Sequence, residues 1–132
     1  MLKRRVSTLA ATAATAVVGA GLFLAPATPA AAAAISCRSS GNLRTINGTD
    51  PNWHWPPYGS TYTTANCNDI NVKITRTVEV QTCFAPSSGG YYCNGYRTVY
   101  ANTWGLAATD VADGTRFWLL FNSENIQGVA AY

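Results

Sequence analysis

Charge is scarce in this chain, and beyond its N-terminus the charges balance. Only 11% of the 132 residues are charged. Lys3, Arg4 and Arg5 account for three of the nine bases, so six bases face six acids in the rest of the chain. Binding to nucleic acid requires a basic patch that replaces counterions, and binding to an anionic membrane surface requires a polybasic segment. The sequence therefore predicts no nucleic-acid partner and, once the N-terminal segment is removed, no membrane partner.

Histidine is nearly absent, which restricts the chemistry that the chain can perform. His54 is the only histidine, and no Cys-x-x-Cys pair occurs, so we expect no metal site and no cofactor. A Ser-His-acid set would need His54 as its base, and the G-x-S-x-G elbow is missing. A small hydrolase that combines His54 with Glu79 or Glu124 is kept as a minor alternative. The main prediction is that the protein is not an enzyme and has no catalytic residues.

The first 34 residues have the order of a secretory signal. The basic start at residues 1–5 is followed by an uncharged apolar run at residues 9–25 and a small-residue segment at residues 26–34. A membrane-spanning helix needs about 20 apolar residues, and two prolines stop this run at the short end of that range. We predict a cleaved signal at residues 1–34, a single β-rich domain at residues 35–132, and a secreted, extracellular protein.

All four cysteines lie beyond the predicted signal, and their even number favours two disulfides in a short exported chain. Of the three pairings that four cysteines allow, we favour Cys37–Cys67 with Cys83–Cys93. Residues 86–90, Pro-Ser-Ser-Gly-Gly, supply the turn that the second pair requires. An alternative arises because the Ala-Ile-Ser before Cys37 loosely resembles a lipoprotein cleavage box. An acyl chain on Cys37 would leave three cysteines, an odd number.

Short alternating segments separated by turn residues predict an all-β domain. Residues 70–80 are expected to form one long strand, in which Arg76 marks a bulge, an edge or a paired charge. Residues 106–111 and 115–121 flank an Asp-Gly dipeptide, which predicts a β-hairpin. Residues 126–132 are then expected to close a three-strand meander. The predicted fold is a small antiparallel β-sandwich or barrel stapled by two disulfides.

The segment at residues 53–62 is the most informative one for function, because it is rich in both aromatic residues and proline. Prolines stiffen the backbone and reduce the entropy that is lost on binding. Aromatic side chains with a polar edge are common anchors of recognition surfaces, and their faces also suit sugar rings. An alternative is that they only cover the open end of a small core. The predicted ligand-binding residues are Trp53, His54, Trp55 and Tyr58.

A second aromatic cluster extends from Tyr91 to Arg97 and includes Tyr100. Its combination of tyrosine with glycine and asparagine is typical of antibody-like binding surfaces. The same composition is equally typical of the ends of β-hairpins. We therefore predict no binding role for this cluster, which lies beside the predicted second disulfide.

Two resemblances concern parts of the chain. The alanine-rich N-terminus with its PATPAAAA end resembles the signals of exported actinobacterial proteins, and residues 104–117 are similar to segments of small secreted β-proteins from those bacteria. That resemblance implies export but no activity. The cysteine order is similar to that of secreted proteinaceous α-amylase inhibitors, which are small β-sandwiches with two sequential disulfides. Their Trp-Arg-Tyr inhibitory motif is absent here, so no site residue is carried over.

The resulting prediction is a secreted, monomeric binding protein without catalytic activity. Its expected partner is an extracellular protein, such as a hydrolase that it inhibits or modulates, with Trp53, Trp55 and Tyr58 as rigid anchors. The alternative is a small carbohydrate- or cell-wall-binding module, in which the same aromatic rings stack on a polysaccharide.

Overall fold

The computed structural model describes residues 36–132, which form ten β-strands in two antiparallel sheets. This confirms the predicted all-β fold with a sandwich-like arrangement, and neither sheet closes into a barrel. The predicted signal at residues 1–34 lies outside the described residues. In chain order, a short 3-10 helix at Ser40–Asn42 is followed by β1 Leu43–Asn47, β2 His54–Trp55, β3 Thr61–Tyr62, β4 Ile70–Ile74, β5 Val78–Phe84, β6 Tyr92–Cys93, β7 Arg97–Val99, β8 Trp104–Ala108, β9 Arg116–Phe121 and β10 Gln127–Ala131.

The two sheets divide the strands without regard to their order in the chain. The first, sheet I, has the strand order β1-β10-β4-β8. In the second, sheet II, β2 and β3 follow one another along one side of β9, and β5 pairs with the other side of β9. The far side of β5 pairs with both β6 and β7. Sheet II is therefore four strands wide, with β9 and β5 at its centre.

The core lies between the inner faces of the two sheets. In β9 the alternate residues Phe117, Leu119 and Phe121 are completely buried, as the alternation of apolar side chains predicts. Burial of such a side chain stabilises the fold by roughly 1.5–3 kcal/mol. The other large apolar side chains that are fully buried come from both sheets and their connections: Ile46, Ile70, Val72, Ile74, Val80, Val99 and Ile126.

The prediction of one long strand at residues 70–80 is wrong, because the chain crosses from one sheet to the other within it. β4 belongs to sheet I and β5 to sheet II, and residues 75–77 connect them. The apolar side chains of both strands are nevertheless buried, since each strand turns its apolar face to the same core. The exposed Arg76 lies at the crossing, where its guanidinium donates hydrogen bonds to Ser123 Oγ and to the Glu124 carbonyl oxygen.

The predicted hairpin around the Asp-Gly dipeptide and the meander after it are also wrong. Asp113 and Gly114 do form a turn, with Gly114 at a φ of 70°. However, β8 before the turn pairs with β4 in sheet I, whereas β9 after it pairs with β5 in sheet II. β10 then returns to sheet I and pairs with both β1 and β4. The turn reverses the chain, but it joins two layers instead of two neighbouring strands.

The Cys37–Cys67 disulfide is confirmed, and it lies on the outer face of sheet I. Cys37 and Cys67 are buried in a small cluster with Ala131, against which Leu43 and Trp104 pack. Because its sulfur is bonded to Cys67, Cys37 has no free thiol for an acyl chain. This cluster adds a second, smaller apolar layer outside the main core.

Arg38 packs on the same outer face of sheet I. Its guanidinium carbon lies 5.2 Å from the centre of the Trp104 ring, within the range of a cation–π interaction. Two of its nitrogens donate hydrogen bonds to Asn71 Oδ1, at 3.2 and 2.7 Å. The N-terminal part of the described chain therefore covers part of the outer face of sheet I.

Candidate binding surface

The outer face of sheet II carries aromatic side chains. In β9, Trp118 lies between two fully buried residues and so points to the opposite side of the sheet. His54 of β2 lies opposite Leu120 of β9, and these two residues share the outer face with Trp118. We call His54, Tyr91, Trp118 and Leu120 the aromatic face.

The rings of the aromatic face contact one another at steep angles. The Tyr91 and Trp118 ring centres are 5.5 Å apart, with 56° between the ring planes. His54 lies on another side of Trp118, with 6.4 Å between ring centres and 55° between planes. Trp118 is half-buried, whereas 71% of Tyr91 is exposed. The face is therefore ridged instead of flat.

The Cys83–Cys93 disulfide, also confirmed, lies on the outer face of sheet II beside Trp118. Cys83 is opposite Trp118 on one side and opposite Cys93 on the other, so all three belong to one row across the sheet. Cys83 is only 2% exposed, which shows that neighbouring side chains cover the sulfur bridge. The disulfide holds the strand that follows Tyr91 against the centre of sheet II.

Asn94 fixes the base of the same hairpin, a role that the sequence pattern did not indicate. Its Oδ1 accepts a hydrogen bond from the Thr82 backbone N–H at 2.7 Å. Its Nδ2 donates to the Ala107 carbonyl oxygen at 2.8 Å, and the Thr82 hydroxyl donates to the same oxygen at 3.0 Å. Because Ala107 belongs to sheet I, these side chains link the two sheets beneath the aromatic face.

Asp50 organises the aromatic loop at residues 50–59. Its Oδ1 accepts hydrogen bonds from the backbone N–H groups of Asn52 at 2.9 Å and of His54 at 3.0 Å. Its Oδ2 accepts a third, from the Tyr58 backbone N–H at 3.2 Å. Asp50 is only 5% exposed, so one buried carboxylate holds three points along the loop. The sequence indicated a turn-forming acid here, but not these contacts.

Trp53 and Tyr58 project from this loop in a conformation that bulky residues seldom adopt. Their φ angles are 64° and 55°, and the exposed fractions of the two residues are 41% and 82%. A bulky side chain at positive φ is sterically disfavoured. The remaining positive-φ positions of residues 36–132, apart from glycine, are occupied by residue types that tolerate this region: Asn102, Asp110 and Asn125.

Trp55, one of the four predicted ligand-binding residues, is buried, unlike Trp53 and Tyr58. It is 6% exposed and pairs with Leu119, whose side chain points into the core. Its ring packs edge-on against Tyr132, with 6.2 Å between centres. The physical reason is the alternation of a strand: because His54 faces outward, its neighbour must face inward. The peptide bond between Trp55 and Pro56 is cis.

His54 and Asp50 form a pair that the sequence did not predict. His54 Nδ1 lies 3.7 Å from Asp50 Oδ2, and the His54 side chain is 37% exposed. Burial raises the pKa of the Asp50 carboxyl, but hydrogen bonds from the backbone N–H groups of His54, Tyr58 and Asn52, together with the charge of His54, outweigh burial. The pKa of Asp50 is therefore lowered from its ordinary value of 3.8.

This lowered pKa predicts a loss of stability in acid. Since the pKa of Asp50 is lower in the folded chain than in the unfolded chain, its contribution is complete above the unfolded pKa of 3.8 and is lost as the pH falls through the folded value. Denaturant unfolding between pH 7 and pH 2 should therefore show a steeper acid loss for the natural protein than for Asp50→Asn. Identical pH profiles would contradict this role.

Neither a metal cluster nor a membrane helix is found in the described part of the chain. Within residues 36–132, no group of three or more His, Cys, Asp or Glu side chains is arranged to hold a metal ion. No helix in that same range is long and apolar enough to cross a membrane. The two disulfides are consistent with an oxidising environment of the kind found outside the cell.

The comparisons with known proteins do not place this chain in a family. No protein-family model matches it, and neither a curated protein nor a solved structure does. The resemblance of its N-terminus and of residues 104–117 to secreted actinobacterial proteins therefore stays a prediction. What this domain does has to follow from its own residues, of which the aromatic face and the loop at residues 50–59 are the most distinctive.

Proposed function

We propose that this chain is a secreted binding protein without catalytic activity, and that it recognises an extracellular protein with the aromatic face and the loop at residues 50–59. The observation that carries the proposal is the left-handed backbone of Trp53 and Tyr58. A bulky residue in this region costs of order 1–3 kcal/mol. Tyr58 buries little of its surface in return. Binding to a partner explains why aromatic side chains occupy such positions.

The loop is prepared for binding because its shape is held before a partner arrives. Asp50 accepts three backbone hydrogen bonds from the loop. β2, which lies within the loop, and β3, which follows it, both pair with β9, and the Phe121 backbone N–H donates to the Trp53 carbonyl oxygen at 3.1 Å. A rigid loop loses less conformational entropy on binding, so more of the contact energy appears as affinity.

The angles between the rings favour a protein partner over a flat polysaccharide. His54 and Tyr91 are each tilted by more than 50° against Trp118. Sugar rings of a crystalline polysaccharide would need a row of nearly coplanar faces, whereas protein interfaces use clustered tryptophan and tyrosine anchors in pockets. Among extracellular proteins we favour a hydrolase, because the concave active-site cleft of an enzyme can accept a projecting, rigid aromatic loop.

The test is a titration of purified secreted hydrolases with the oxidised protein. An α-amylase, a serine protease, a chitinase and a xylanase are each assayed with increasing amounts of protein. We expect stoichiometric loss of activity for one of them. The double variant Trp53→Ala, Tyr58→Ala should weaken that inhibition at least tenfold, since each aromatic anchor contributes about 2 kcal/mol or more. Tyr100→Ala serves as the matched control, because Tyr100 is 67% exposed but lies outside this surface.

Two outcomes would overturn this proposal. Unchanged inhibition by the double variant would remove the loop from the interface. If no hydrolase is inhibited, and the protein instead sediments with insoluble chitin, cellulose or bacterial cell wall in a manner that the double variant loses, the surface binds a polysaccharide.

Because Tyr58 has a positive φ, we expect that replacing it by glycine stabilises the fold, whereas most substitutions by glycine destabilise one. Tyr58→Gly should raise the free energy of unfolding by about 1 kcal/mol, because glycine adopts positive φ without a steric cost. Tyr100→Gly should lower it by about 0.5–1 kcal/mol, because Tyr100 has no positive φ. Thermal unfolding of both variants checks the two signs. A loss of stability for Tyr58→Gly would show that this tyrosine has a structural role.

The Asp50–His54 pair supports a second candidate function, a small hydrolase that uses His54 as its base. An acid that orients a histidine is a common part of such sites. The 3.7 Å separation is longer than a hydrogen bond, and Asp50 already accepts three backbone N–H groups. If any hydrolytic activity is found, His54→Ala should abolish it. Full activity in that variant would exclude His54 from catalysis.

A further inference from the structure

A cleft adjoins the aromatic face at the end of sheet II where β9 begins. It has a volume of about 760 Å³ and lies between Arg116 and the turn at residues 85–90, which the Cys83–Cys93 disulfide closes. Arg116 and Trp118 project from the same side of β9, because they are two residues apart in a strand. Cavities of this size are typical of sites for small molecules.

The cleft contains one positive charge and no negative charge among its lining residues. Arg116 is exposed, and its Nε donates a hydrogen bond to Ser60 Oγ at 2.7 Å. No hydrogen-bond or ion-pair partner for the two Nη groups of this guanidinium is found among residues 36–132. The Nε contact holds the guanidinium at the wall of the cleft, and its Nη donors are available to a ligand. A guanidinium held in this way suits a carboxylate.

Two tyrosines line the cleft together with Arg116. Tyr62 pairs with Arg116 across the sheet and is 57% exposed. Tyr92 is 59% exposed, and its ring packs on Phe84 with 5.3 Å between centres, which supports the ring from one side. Serine, threonine and glycine make up much of the remaining lining. The cleft therefore combines aromatic faces with hydroxyl groups.

We infer that this cleft binds a carboxylate-bearing saccharide, such as a chain of uronic acids. The pyranose rings would pack their C–H faces on Tyr62 and Tyr92. The carboxylate would form an ion pair with Arg116, and the lining hydroxyl groups would form hydrogen bonds with the sugar hydroxyl groups. An acidic peptide fits less well, because Ala85 and Pro86 are the only aliphatic side chains that the lining offers to peptide side chains. This site uses none of the residues of the loop at 50–59.

The experiment is calorimetry on the oxidised protein, purified after expression of the full chain, with three probes. Trigalacturonic acid should bind, and its affinity should fall as salt is added, because the charge pair is exposed to solvent. The neutral galactose trimer should bind at least tenfold more weakly. A tetraglutamate peptide should also bind more weakly than the uronate. Equal binding of the peptide, or no binding of the uronate, would overturn the proposal.

Substitutions locate the site. Arg116→Gln should weaken binding of trigalacturonic acid by about tenfold or more, and Arg116→Lys should restore part of the loss. Arg97→Gln is the matched control, because Arg97 is an exposed arginine of the same sheet that does not line the cleft. Thermal unfolding of each variant confirms that it folds. An Arg97→Gln effect as large as that of Arg116→Gln would show unspecific charge attraction.

A failure here is separable from a failure of the proposed function. The double variant Trp53→Ala, Tyr58→Ala should keep its affinity for trigalacturonic acid, whereas Arg116→Gln should keep any inhibition of a hydrolase. If the double variant also loses the saccharide, the cleft and the loop form one site and the inference of a separate site is wrong.

Discussion

Replacing Cys37 and Cys67 together by alanine should lower the free energy of unfolding by about 4 kcal/mol. The two cysteines are 30 residues apart in the chain, so their disulfide removes much of the freedom of the unfolded chain. Domains of about this size have a total stability of only about 5–15 kcal/mol. Guanidinium unfolding of the double variant, against the natural protein under the same oxidising conditions, measures the difference.

The second disulfide provides the matched comparison. Cys83 and Cys93 are only 10 residues apart, so their joint replacement by alanine should cost less, about 3 kcal/mol. It should, however, disturb function more, because Cys83 is the direct neighbour of Trp118 on the outer face of sheet II. Removal of the Cys37–Cys67 disulfide, in contrast, changes the outer face of sheet I, which is not part of the proposed binding surface. Equal effects of the two double variants on partner binding would contradict the placement of the binding surface on sheet II.

Gly128→Ala should destabilise the fold by about 3 kcal/mol, the upper part of the usual range for overpacking. Gly128 lies in β10, directly opposite Ile74 of β4. A Cβ atom at this position would overlap the Lys73 carbonyl oxygen and would lie 2.9 Å from the Ile74 Cα atom. Both contacts are with backbone, which cannot move without breaking the pairing of β10 with β4. Chemical or thermal unfolding of the variant checks the size of the effect.

Gly41→Ala is the control for this glycine. A Cβ atom on Gly41 would meet no heavy atom within 4 Å, and this residue has no positive φ. Its replacement should change the free energy of unfolding by no more than about 0.5 kcal/mol. If the two substitutions have similar effects, the close approach of β10 to β4 at Gly128 is contradicted.

Features that depend on neighbours in the chain were predictable from sequence. The alternation in β9 predicted that Phe117, Leu119 and Phe121 share one face, and all three are fully buried. The pairing of Cys83 with Cys93 followed from the turn residues between them, because a short reversal brings the two ends together. The aromatic character of residues 53–58 was equally visible, and it pointed to the loop that now carries the proposed function.

Features that depend on distant partners were not predictable. An Asp-Gly turn indicates that the chain reverses, but the strands on either side of it belong to different sheets, because β8 pairs with β4 and β9 pairs with β5. Trp55 looked like its neighbours in a polar, proline-rich segment, and only its pairing with Leu119 turns it into the core. Asp50 looked like an ordinary turn residue, and its three hydrogen bonds exist only when the loop is closed.

By itself, the sequence indicated the all-β class, the short Cys83–Cys93 loop and which residues of β9 face the core, because alternation and turn chemistry act over a few residues. Only the tertiary structure decided which strands lie side by side, and with them the composition of the aromatic face. His54, Tyr91 and Trp118 come from three separate segments of the chain, and they meet because β2 and β5 both pair with β9 and because β6, which follows Tyr91, pairs with β5. Pairing between strands depends on how their apolar faces fit across a shared core, and that fit is a property of the assembled domain.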